Sequence, residues 1–415
     1  MKFCVAGGTR LSGTVRISGA KNSVLKLMAI SIMANDRCVI RNVPKISDVQ
    51  MMKGVIEALG ARVEWNGDTM EITPPERVGT EVPEELVRGM RASIQIIGPL
   101  LAKVGEVHIA QPGGCSIGHR PVDFHLKGFA AMGAEVEERY GYIRARADKL
   151  RGATIFLDFP SVGATENLMA AAALAEGTTV ICNAAREPEI VDQQNFLNLM
   201  GARVRGAGTG QIVVEGVKEL SGVDYTVIPD RIEAGTMMAA AAITRGHVTL
   251  CNVEPDHLGF LIAKLREMGV GVEVSHNQID CYADHPIRGI TVRSMPYPGF
   301  ATDLQPSIAA LASVATGCSV LVETIYSNRF HYLEEMRKMG AKVIIEHSTA
   351  VIKGVDRLTA ADVTAPDLRG GAALVLCALA AEGTSVVDNV ELIDRGYEEF
   401  ERKLSELGAR IVRIK

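Results

Sequence analysis

Six copies of one sequence repeat constrain the fold of this chain more than any other feature. In each copy a helix-like stretch ends in Leu or Met, then Gly, then Ala or Val, and leads into alternating apolar and polar residues. Each glycine follows an amphipathic helix, where a residue with positive φ is favoured, so each is predicted to be a C′ cap. The glycines are spaced by 73, 68, 68, 71 and 68 residues and are Gly60, Gly133, Gly201, Gly269, Gly340 and Gly408.

Each repeat also contains a helix that is apolar on all sides and comes first in the chain. A helix without a polar face is stable only when other elements surround it, so all six are predicted to be buried. The second helix of each repeat, which ends in the glycine, has one charged face and can lie against solvent. The six apolar stretches cover residues 24–34, 92–102, 164–175, 234–243, 307–315 and 372–381.

The repeat count and the chain length lead to the same domain organisation. A chain of 415 residues is long enough for two to four domains at roughly 100 to 200 residues each. Six buried helices divide evenly between two domains. The sequence therefore predicts an α/β protein of two domains with three repeats each, buried helices inside and sheets outside, and a boundary near residue 228.

The composition excludes several classes of protein. The 44 Lys and Arg against 49 Asp and Glu, without a basic block, lack the positive footprint of a nucleic-acid-binding protein. No apolar run reaches the 18 or so residues of a membrane span, and the first residues do not resemble a signal peptide, so a cytoplasmic protein is expected. The nine His are scattered and the eight Cys form no C-x-x-C pair, so neither a metal nor a cofactor is expected.

Polar and charged residues collect where the buried helices begin. Orphan N–H groups and the helix dipole make these ends suitable for anions. Asn22, Ser161, Asp230, Asp303 and Asp367 are also residue types that cap helices, and capping is the simpler explanation for any one of them. Capping does not explain the cations at these ends, which oppose the dipole and which a doubly anionic ligand would explain: Lys21, Arg91, Arg231 and Arg369.

Cys115 differs from the other cysteines because it lies in a polar loop rich in glycine and proline. Residues 111–121 contain three glycines and two prolines, which is typical of a mobile lid with stiff ends. A reactive thiol and an inert one are equally compatible with this loop, and His119 and Arg120 could adjust the ionisation of the thiol. The remaining thiols considered are predicted to be small core residues: Cys38, Cys182, Cys251, Cys318 and Cys377.

Several short motifs occur in order along the whole chain. They include Ser18-Gly-Ala-Lys-Asn22, Pro112-Gly-Gly-Cys-Ser-Ile-Gly-His-Arg-Pro121, Ser161-Val-Gly-Ala-Thr165, Ala185-Arg-Glu-Pro-Glu189, Pro229-Asp-Arg-Ile-Glu233, Thr302-Asp-Leu-Gln305, Asn328-Arg329 and Asp394-Arg-Gly-Tyr397. These motifs resemble those of the UDP-N-acetylglucosamine enolpyruvyl transferase (1-carboxyvinyltransferase) family of the EPSP synthase superfamily. This resemblance implies a two-domain inside-out α/β barrel, with domains 21–228, which carries the Cys115 loop, and 1–20 with 229–415, which carries Asp303 and Arg395.

The resemblance also implies an activity. Enzymes of this family transfer the enolpyruvyl group of phosphoenolpyruvate to the 3-hydroxyl of UDP-N-acetylglucosamine and release phosphate, in the first committed step of peptidoglycan synthesis. Cys115 resembles the proton donor, which also adds covalently to phosphoenolpyruvate and is the target of fosfomycin. Asp303 is implied to accept the hydroxyl proton, and Lys21, Asn22 and Arg395 complete the implied catalytic set.

The same resemblance implies two sets of binding residues, drawn from both domains, around a cleft expected to close on its substrates. Those for phosphoenolpyruvate are Lys21, Asn22, Arg120, Arg329, Arg369 and Arg395. Those for UDP-N-acetylglucosamine are Arg91, Arg120, Pro121, Val122, Asp123, Phe124, Ser161, Val162, Gly163, Asp303 and Ile325.

Some positions depart from the family pattern, and other functions stay open. Phe159-Pro160 stands where some members carry Lys-Val, and Lys26 replaces a residue that is often apolar. The nearest alternative is an enolpyruvylshikimate phosphate synthase, which would use another acceptor and would not need the Cys115 lid. A nucleotide-sugar-binding paralogue without turnover and a purely structural repeat protein are the others.

Overall fold

Two compact units of mixed α/β structure make up the protein. A computed structural model describes residues 1–113 and 122–415. In this part of the chain, residues 1–18 and 229–415 form one unit, called here the C-terminal unit, and residues 19–113 and 122–228 form the other, the N-terminal unit. None of the helices in the described ranges combines the length and the hydropathy that a membrane span requires.

The α-helices are numbered in chain order, the first seven in the N-terminal unit and the rest in the C-terminal unit. They are α1 (Lys21–Ser31), α2 (Ser47–Ala58), α3 (Glu84–Gly89), α4 (Ile97–Lys103), α5 (Asp123–Ala131), α6 (Val162–Ala172), α7 (Pro188–Leu199), α8 (Arg231–Ile243), α9 (Gly259–Glu267), α10 (Gln305–Ser313), α11 (His331–Lys338), α12 (Leu368–Ala380) and α13 (Phe400–Glu406). Short 3-10 helices cover Arg91–Ile96, Pro255–Leu258, Thr302–Leu304 and Val390–Arg395.

The strands of the described residues are likewise numbered in chain order. They are β1 (Lys2–Ala6), β2 (Ser12–Arg16), β3 (Cys38–Arg41), β4 (Arg62–Asn66), β5 (Thr69–Thr73), β6 (Glu106–Ala110), β7 (Glu135–Arg139), β8 (Tyr142–Arg146), β9 (Thr154–Phe156), β10 (Thr178–Cys182), β11 (Arg203–Arg205), β12 (Gln211–Glu215), β13 (Asp224–Thr226), β14 (His247–Cys251), β15 (Gly271–Ser275), β16 (Gln278–Tyr282), β17 (Thr291–Arg293), β18 (Cys318–Val322), β19 (Lys342–Glu346), β20 (Thr349–Lys353), β21 (Leu358–Thr359), β22 (Asp362–Thr364), β23 (Ala381–Glu382), β24 (Thr384–Asp388) and β25 (Arg410–Ile414).

The six apolar helices form the centres of the two units, as their sequences predicted. In the C-terminal unit α8, α10 and α12 pack against one another, and in α12 every residue from 369 to 379 is buried. The corresponding helices of the N-terminal unit are α1, α4 and α6. The outer helices bury one face only; α11, for example, buries Tyr332, Leu333 and Met336, whose spacing matches one side of a helix.

Each unit surrounds its inner helices with three sheets of three or four strands, and β21 and β23 form a further two-stranded parallel sheet in the C-terminal unit. In five of the six larger sheets, the strand that follows the inner helix pairs with a parallel strand on one side and an antiparallel strand on the other. The orders are β13-β3-β5-β4, β11-β12-β10-β9 and β6-β8-β7 in the N-terminal unit, and β15-β16-β14-β2, β17-β18-β20-β19 and β22-β24-β1-β25 in the C-terminal unit. In the three-stranded sheet, a bridge between Glu81 and His108 stands in the place of the parallel strand.

Two pairs of strands show how the chain passes between the units. β2 precedes α1 in the chain but pairs with β14, and β13 precedes α8 but pairs with β3. The chain therefore leaves one unit immediately before α1 and leaves the other immediately before α8. Lys21 and Arg231 are the first residues of inner helices that start directly after these crossings.

The six repeat glycines adopt the conformation that the sequence predicted. Their φ values lie between 88° and 100°. This left-handed region is costly for a residue with a Cβ, and it allows the chain to end each outer helix and turn into the next strand.

One inner helix is less regular than predicted. The stretch 92–102 is a 3-10 helix over Arg91–Ile96 and becomes α-helical only in α4. The side-chain amide of Asn167 lies between its turns: its Oδ1 accepts from Gly98 N at 2.7 Å and its Nδ2 donates to Ile94 O at 2.8 Å. Pro99, which has no N–H, prevents a regular helical bond to Gln95.

The prediction that five cysteines are core residues is confirmed for only two of them. Cys38 and Cys377 are buried, but Cys182 and Cys251 are half-buried and Cys318 is exposed. Cys318 is the first residue of β18, whose side chains alternate between the core and the outer face, and its place in that alternation directs the thiol outward. Cys115 lies outside the described residues.

Candidate active site

Asp303 of the C-terminal unit lies between two buried arginines. Its Oδ1 accepts a hydrogen bond from Arg329 Nη2 and its Oδ2 accepts one from Arg369 Nε, both at 3.2 Å. The arginine side chains are 2% and 3% exposed and that of Asp303 is 26% exposed. The buried carboxylates of Asp367 and Glu323 also act on Arg329, and that of Asp230 acts on Arg369, so Asp303 is one of several acids around the two guanidinium groups.

The two arginines also retain unused hydrogen-bond donors. Nε of Arg329 and Nη1 of Arg369 are buried and have no hydrogen-bond partner among the described residues. The guanidinium group of Arg369 also lies over the ring of Tyr397, with 5.1 Å between its Cζ and the ring centroid. Buried guanidinium donors without partners are costly to a protein, and an anionic ligand would satisfy them.

The structure separates the polar residues at helix starts into caps and other groups. Ser161, Asp230 and Asp367 cap their helices by accepting bonds from backbone N–H groups of the first turn. The helices near the other two candidates are different: Ala20 precedes α1 and Leu304 precedes α10, and neither caps with its side chain. The capping explanation is therefore wrong for Asn22 and Asp303.

Glu323 is a buried carboxylate that the sequence did not single out. It is 2% exposed. Its Oε2 accepts a hydrogen bond from Thr302 Oγ1 at 2.9 Å, and its Oε1 accepts one from the backbone N–H of Ile325 at 2.8 Å. Glu323 thus joins the turn that carries Asp303 to the loop that carries Ile325. No motif or spacing marks such a residue, because its role depends on a strand and two loops that meet only in the fold.

Arg395 ends the 3-10 helix Val390–Arg395 and is half-buried. The neighbouring Asp394 accepts two hydrogen bonds from Arg413, each 2.7 Å long. Arg413 also donates to Glu401 of α13, at 2.6 Å from its Nε. These bonds hold the segment that carries Arg395 against the last strand and the last helix of the chain.

Lys21 and Asn22 of the N-terminal unit occupy the first turn of α1. Lys21 is 9% exposed, and its Nζ lies 2.8 Å from Oδ2 of Asp48 in α2. Asn22 is half-buried and is the one residue of α1 outside the core. This turn therefore presents an amide and an ammonium group whose position depends on a neighbouring helix.

The remaining nucleotide-sugar candidates of the N-terminal unit lie at the starts of three helical segments. Val122, Asp123 and Phe124 are at the start of α5, and Ser161, Val162 and Gly163 are at the start of α6. Arg91 begins the 3-10 helix that precedes α4. All seven are half-buried, so the fold leaves them accessible while it buries the helices that follow.

A buried polar network lies behind these helix starts. Gln95 Nε2 donates to the carbonyl oxygen of Gly163 at 3.1 Å, and Nδ1 of His125 is 3.0 Å from Nδ2 of Asn167. Because Asn167 uses its oxygen for Gly98, its nitrogen is the donor and His125 Nδ1 accepts. Burial, and secondarily the charge of Arg91, lower the pKa of His125 to about 3, so the ring is neutral.

The described structure brings Asp303, Arg329 and Arg369 together in the C-terminal unit, and gathers the candidates at the α5 and α6 starts in the N-terminal unit. Cys115, Arg120 and Pro121, three of the sequence candidates, lie outside the described residues. Sequence reasoning missed Asp48, Gln95, His125 and Glu323. His125 follows directly on Asp123-Phe124, which is the one positional signal that could have identified any of them.

Comparison with known proteins gives one family. The family model described as EPSP synthase (3-phosphoshikimate 1-carboxyvinyltransferase) matches residues 5–404. UDP-N-acetylglucosamine 1-carboxyvinyltransferase 1 of Symbiobacterium thermophilum is 51% identical, with 100% of this chain and 95% of the relative covered. The protein of the same name from Carboxydothermus hydrogenoformans is 50% identical, with 100% and 98% covered.

Solved structures agree with the predicted fold class. The enolpyruvyl transferase NikO from Streptomyces tendae has a TM-score of 0.91 at 25% identity, with 99% of this chain and 98% of that chain covered. The EPSP synthase from Acinetobacter baumannii has a TM-score of 0.80 at 18% identity, with 100% of both chains covered. The predicted inside-out α/β barrel is confirmed.

Proposed function

Because the chain belongs to the EPSP synthase family of enolpyruvyl transferases, we propose that it transfers the enolpyruvyl group of phosphoenolpyruvate to the 3-hydroxyl of UDP-N-acetylglucosamine and releases phosphate. The observation that carries this proposal is 50–51% identity over the whole chain to proteins named for that reaction. A solved EPSP synthase is only 18% identical, which supports the nucleotide sugar over shikimate phosphate as acceptor.

The proposed reaction proceeds by addition and elimination. The 3-hydroxyl oxygen attacks carbon 2 of phosphoenolpyruvate while carbon 3 gains a proton, which gives a tetrahedral phosphate ketal. Loss of a proton from carbon 3 and cleavage of the bond to the phosphate oxygen restore the double bond. An acid and a base are needed, and Cys115 and Asp303 are the residues proposed for these roles.

The surroundings of Asp303 support its role as the base. Two guanidinium groups within hydrogen-bond reach favour its ionised form, and its side chain is 26% exposed, so a substrate hydroxyl can approach it. The hydrogen bonds to Arg329 and Arg369 also fix the orientation of the carboxylate. Because the guanidinium groups favour the ionised carboxylate, Asp303 releases an accepted proton more readily than an isolated carboxylate would.

Charge and hydrogen-bond capacity support the proposed binding of phosphoenolpyruvate. The buried donors of Arg329 and Arg369 without partners in the described structure suit the planar carboxylate of the substrate. Lys21, Arg120 and Arg395 are proposed for the phosphate, Arg395 also for the carboxylate, and Asn22 for hydrogen bonds to the ketal. With several cations, the charge that develops in the transition state is stabilised without a metal ion.

The helix starts of the N-terminal unit are the proposed site of the nucleotide sugar. The first turns of α5 and α6 offer backbone N–H groups and positive dipole ends, which suit a diphosphate. Arg91 adds a cation beside them. At the family departure Phe159-Pro160, no cationic contact is proposed, and Phe159 is 39% exposed.

The test is the release of phosphate from phosphoenolpyruvate with each acceptor in parallel, with products identified by mass spectrometry. Phosphate is expected with UDP-N-acetylglucosamine, together with a product heavier by one enolpyruvyl group. Turnover with shikimate 3-phosphate alone would favour the sister enzyme, and binding of the nucleotide sugar without turnover would favour an inactive paralogue. The proposed cytoplasmic role in peptidoglycan synthesis follows from the acceptor.

A further inference from the structure

Lys26 is a charged residue in the middle of an inner helix. It lies in α1, where every residue except Asn22 is buried, and it is itself 8% exposed. Its Nζ is 3.2 Å from Oε2 of Glu166 in α6, which is 1% exposed. An ammonium group or a carboxylate alone would be unstable at this depth, so each depends on the other.

The ammonium group of Lys26 also contacts the first turn of its own helix. It donates a hydrogen bond to the backbone carbonyl oxygen of Asn22. Side chains of an α-helix lean toward the N-terminus, so a long side chain four residues along reaches this carbonyl without strain. The ion pair therefore acts directly on the backbone of a residue proposed to bind substrate.

Two further carboxylates hold the same turn from other helices. Lys21 pairs with Asp48 of α2, and Ser23 donates to Asp192 of α7, which also accepts a hydrogen bond from Tyr225 at 2.6 Å. The first turn of α1 is thus fixed by three acids on α2, α6 and α7. Glu166 differs from the other two acids because it acts on this turn through Lys26, whose Nζ lies 3.2 Å from its Oε2, and not through a side chain of the turn itself.

Protonation of Glu166 would remove that attraction. Burial raises the pKa of Glu166 to about 7, the charge of Lys26 lowers it, and the charges of Glu189 and Glu187 raise it. Asp192 of α7, whose pKa burial raises to about 6, is engaged with Ser23 and Tyr225.

Other charged groups are nearby on elements that pack against α6, but they face its start. His125 of α5 bonds to Asn167 and lies beside Gly163, and it is neutral. Arg91 and Asp123 act on the His125 side of the helix. Of Glu166 and Asp192, Glu166 therefore has the pKa nearer neutral pH.

We propose that Lys26 and Glu166 form a buried positioning pair that holds the first turn of α1, and with it Lys21 and Asn22, in the geometry that binds phosphoenolpyruvate. This proposal rests on the proposed function, because it takes those two residues as ligands. The pair weakens as pH falls through neutrality, so the affinity for phosphoenolpyruvate falls on the acid side.

The test compares wild type with Glu166→Gln in steady-state kinetics between pH 6 and 8. Wild type is expected to show a KM for phosphoenolpyruvate that rises as pH falls. Glu166→Gln is expected to raise this KM about tenfold at pH 8 and to remove most of its pH dependence, with kcat and the KM for the nucleotide sugar changed less than about twofold. The double variant Lys26→Met with Glu166→Leu, which replaces the pair by apolar groups, is expected to restore much of the affinity.

A matched control is a second lysine–glutamate pair, in the C-terminal unit, in which Glu233 is buried and Lys403 is half-buried. Glu233→Gln is expected to lower Tm while it leaves the pH dependence of the KM for phosphoenolpyruvate as in wild type. An equal loss of that dependence in Glu233→Gln, or an unchanged dependence in Glu166→Gln, would overturn the proposal.

A second readout does not depend on turnover. The backbone amide signals of Lys21 and Asn22, followed by NMR in the ligand-free protein, are expected to shift between pH 7 and 8 in wild type and to shift much less over the same range in Glu166→Gln, because Asp192, which bonds to Ser23, titrates at lower pH. If the wild-type signals do not shift, the positioning role proposed for Lys26 and Glu166 is wrong. Absence of turnover in wild type, with the amide shift present, would contradict the proposed function instead.

Discussion

At the scale of the residue, the candidate chemistry depends on groups that their own helices do not use. Ser161, Asp230 and Asp367 cap helices, while Asp303 has its carboxylate directed at two arginines. The role of such a residue therefore cannot be assigned from its type alone. The partner that its side chain meets decides between capping and chemistry, and that partner comes from a distant part of the chain.

Asp303→Asn is expected to lower kcat by about a thousandfold, because an amide cannot accept the hydroxyl proton. It should also lower Tm, since Arg329 and Arg369 lose their shared counter-charge. Phosphate release and thermal unfolding measure the two effects. Asp224→Asn is the control: it makes the same chemical change in an exposed ion pair with Arg41 and should leave both quantities close to wild type.

Cys115→Ala is expected to abolish covalent labelling by fosfomycin, detected as a mass increase of the intact protein. Cys318→Ala removes an exposed thiol and should leave labelling as in wild type. Labelling that persists in Cys115→Ala and disappears in Cys318→Ala would reassign the target.

His125 should make stability depend on acid pH. Its pKa is lowered to about 3, first by burial and then by Arg91, whereas an unfolded histidine titrates near 6.5. Between these values the unfolded chain binds one more proton, so the free energy of unfolding falls as pH falls, by about 1.4 kcal/mol per pH unit. Urea unfolding from pH 7 to 4.5 should show a smaller decrease for His125→Gln than for wild type; equal slopes would contradict this.

At the scale of the element, the inner helices combine an apolar sequence with polar interruptions that position other residues. The side chain of Asn167 replaces a helical bond between Gly98 and Ile94, and it also orients His125. The apolar pattern predicted a continuous helix there. It could not show the interruption, because the group that enters the helix belongs to the next inner helix.

Gly98→Ala should destabilise the N-terminal unit, since a Cβ at this position would lie 2.2 Å from the backbone oxygen of Asn167. A loss of about 2 to 3 kcal/mol in the free energy of unfolding is expected from the forced displacement. The matched control is Gly54→Ala in α2, where the nearest atom is a Leu86 methyl at 3.4 Å. Ala favours a helix by about 0.8 kcal/mol over Gly, so this variant should be no less stable than wild type.

At the scale of the whole molecule, the sixth sheet is completed by the N-terminus. β1 lies between β24 and β25, with Lys2 opposite Asp388 and Ile414. Phe3 and Val5 of β1 are fully buried in the core of the C-terminal unit. In the last repeat, β1 thus occupies the position in the sheet that the second strand of a hairpin, such as β5, occupies in the other repeats.

A circular permutant should therefore fold. Lys2 and Ile414 are direct partners, so a short linker from residue 415 to residue 1 would make an ordinary hairpin. New termini between Asn66 and Gly67, in the exposed turn between β4 and β5, should preserve Tm to within a few degrees. Deletion of residues 1–6 should instead leave a sheet divided in two and a protein that does not fold; a stable deletion variant would contradict the role given to β1.

The sequence by itself determined the repeated architecture. Glycine at each helix end and apolar residues on all sides of six helices act through local backbone and hydrophobic preferences, which are visible along the chain. The family motifs likewise identified the residues proposed for chemistry. Both kinds of pattern can be recognised in the sequence without knowing which residues contact one another in the fold.

Only the tertiary structure decided the rest. The exchange of β2 and β13 between the sheets, the placement of Glu323 behind Asp303 and the meeting of Lys26 with Glu166 are contacts between residues far apart in the chain. Burial and charge act through space, so the sequence does not show whether a glutamate will be a buried positioning group or a surface residue. Its environment assigns the role, and folding creates that environment.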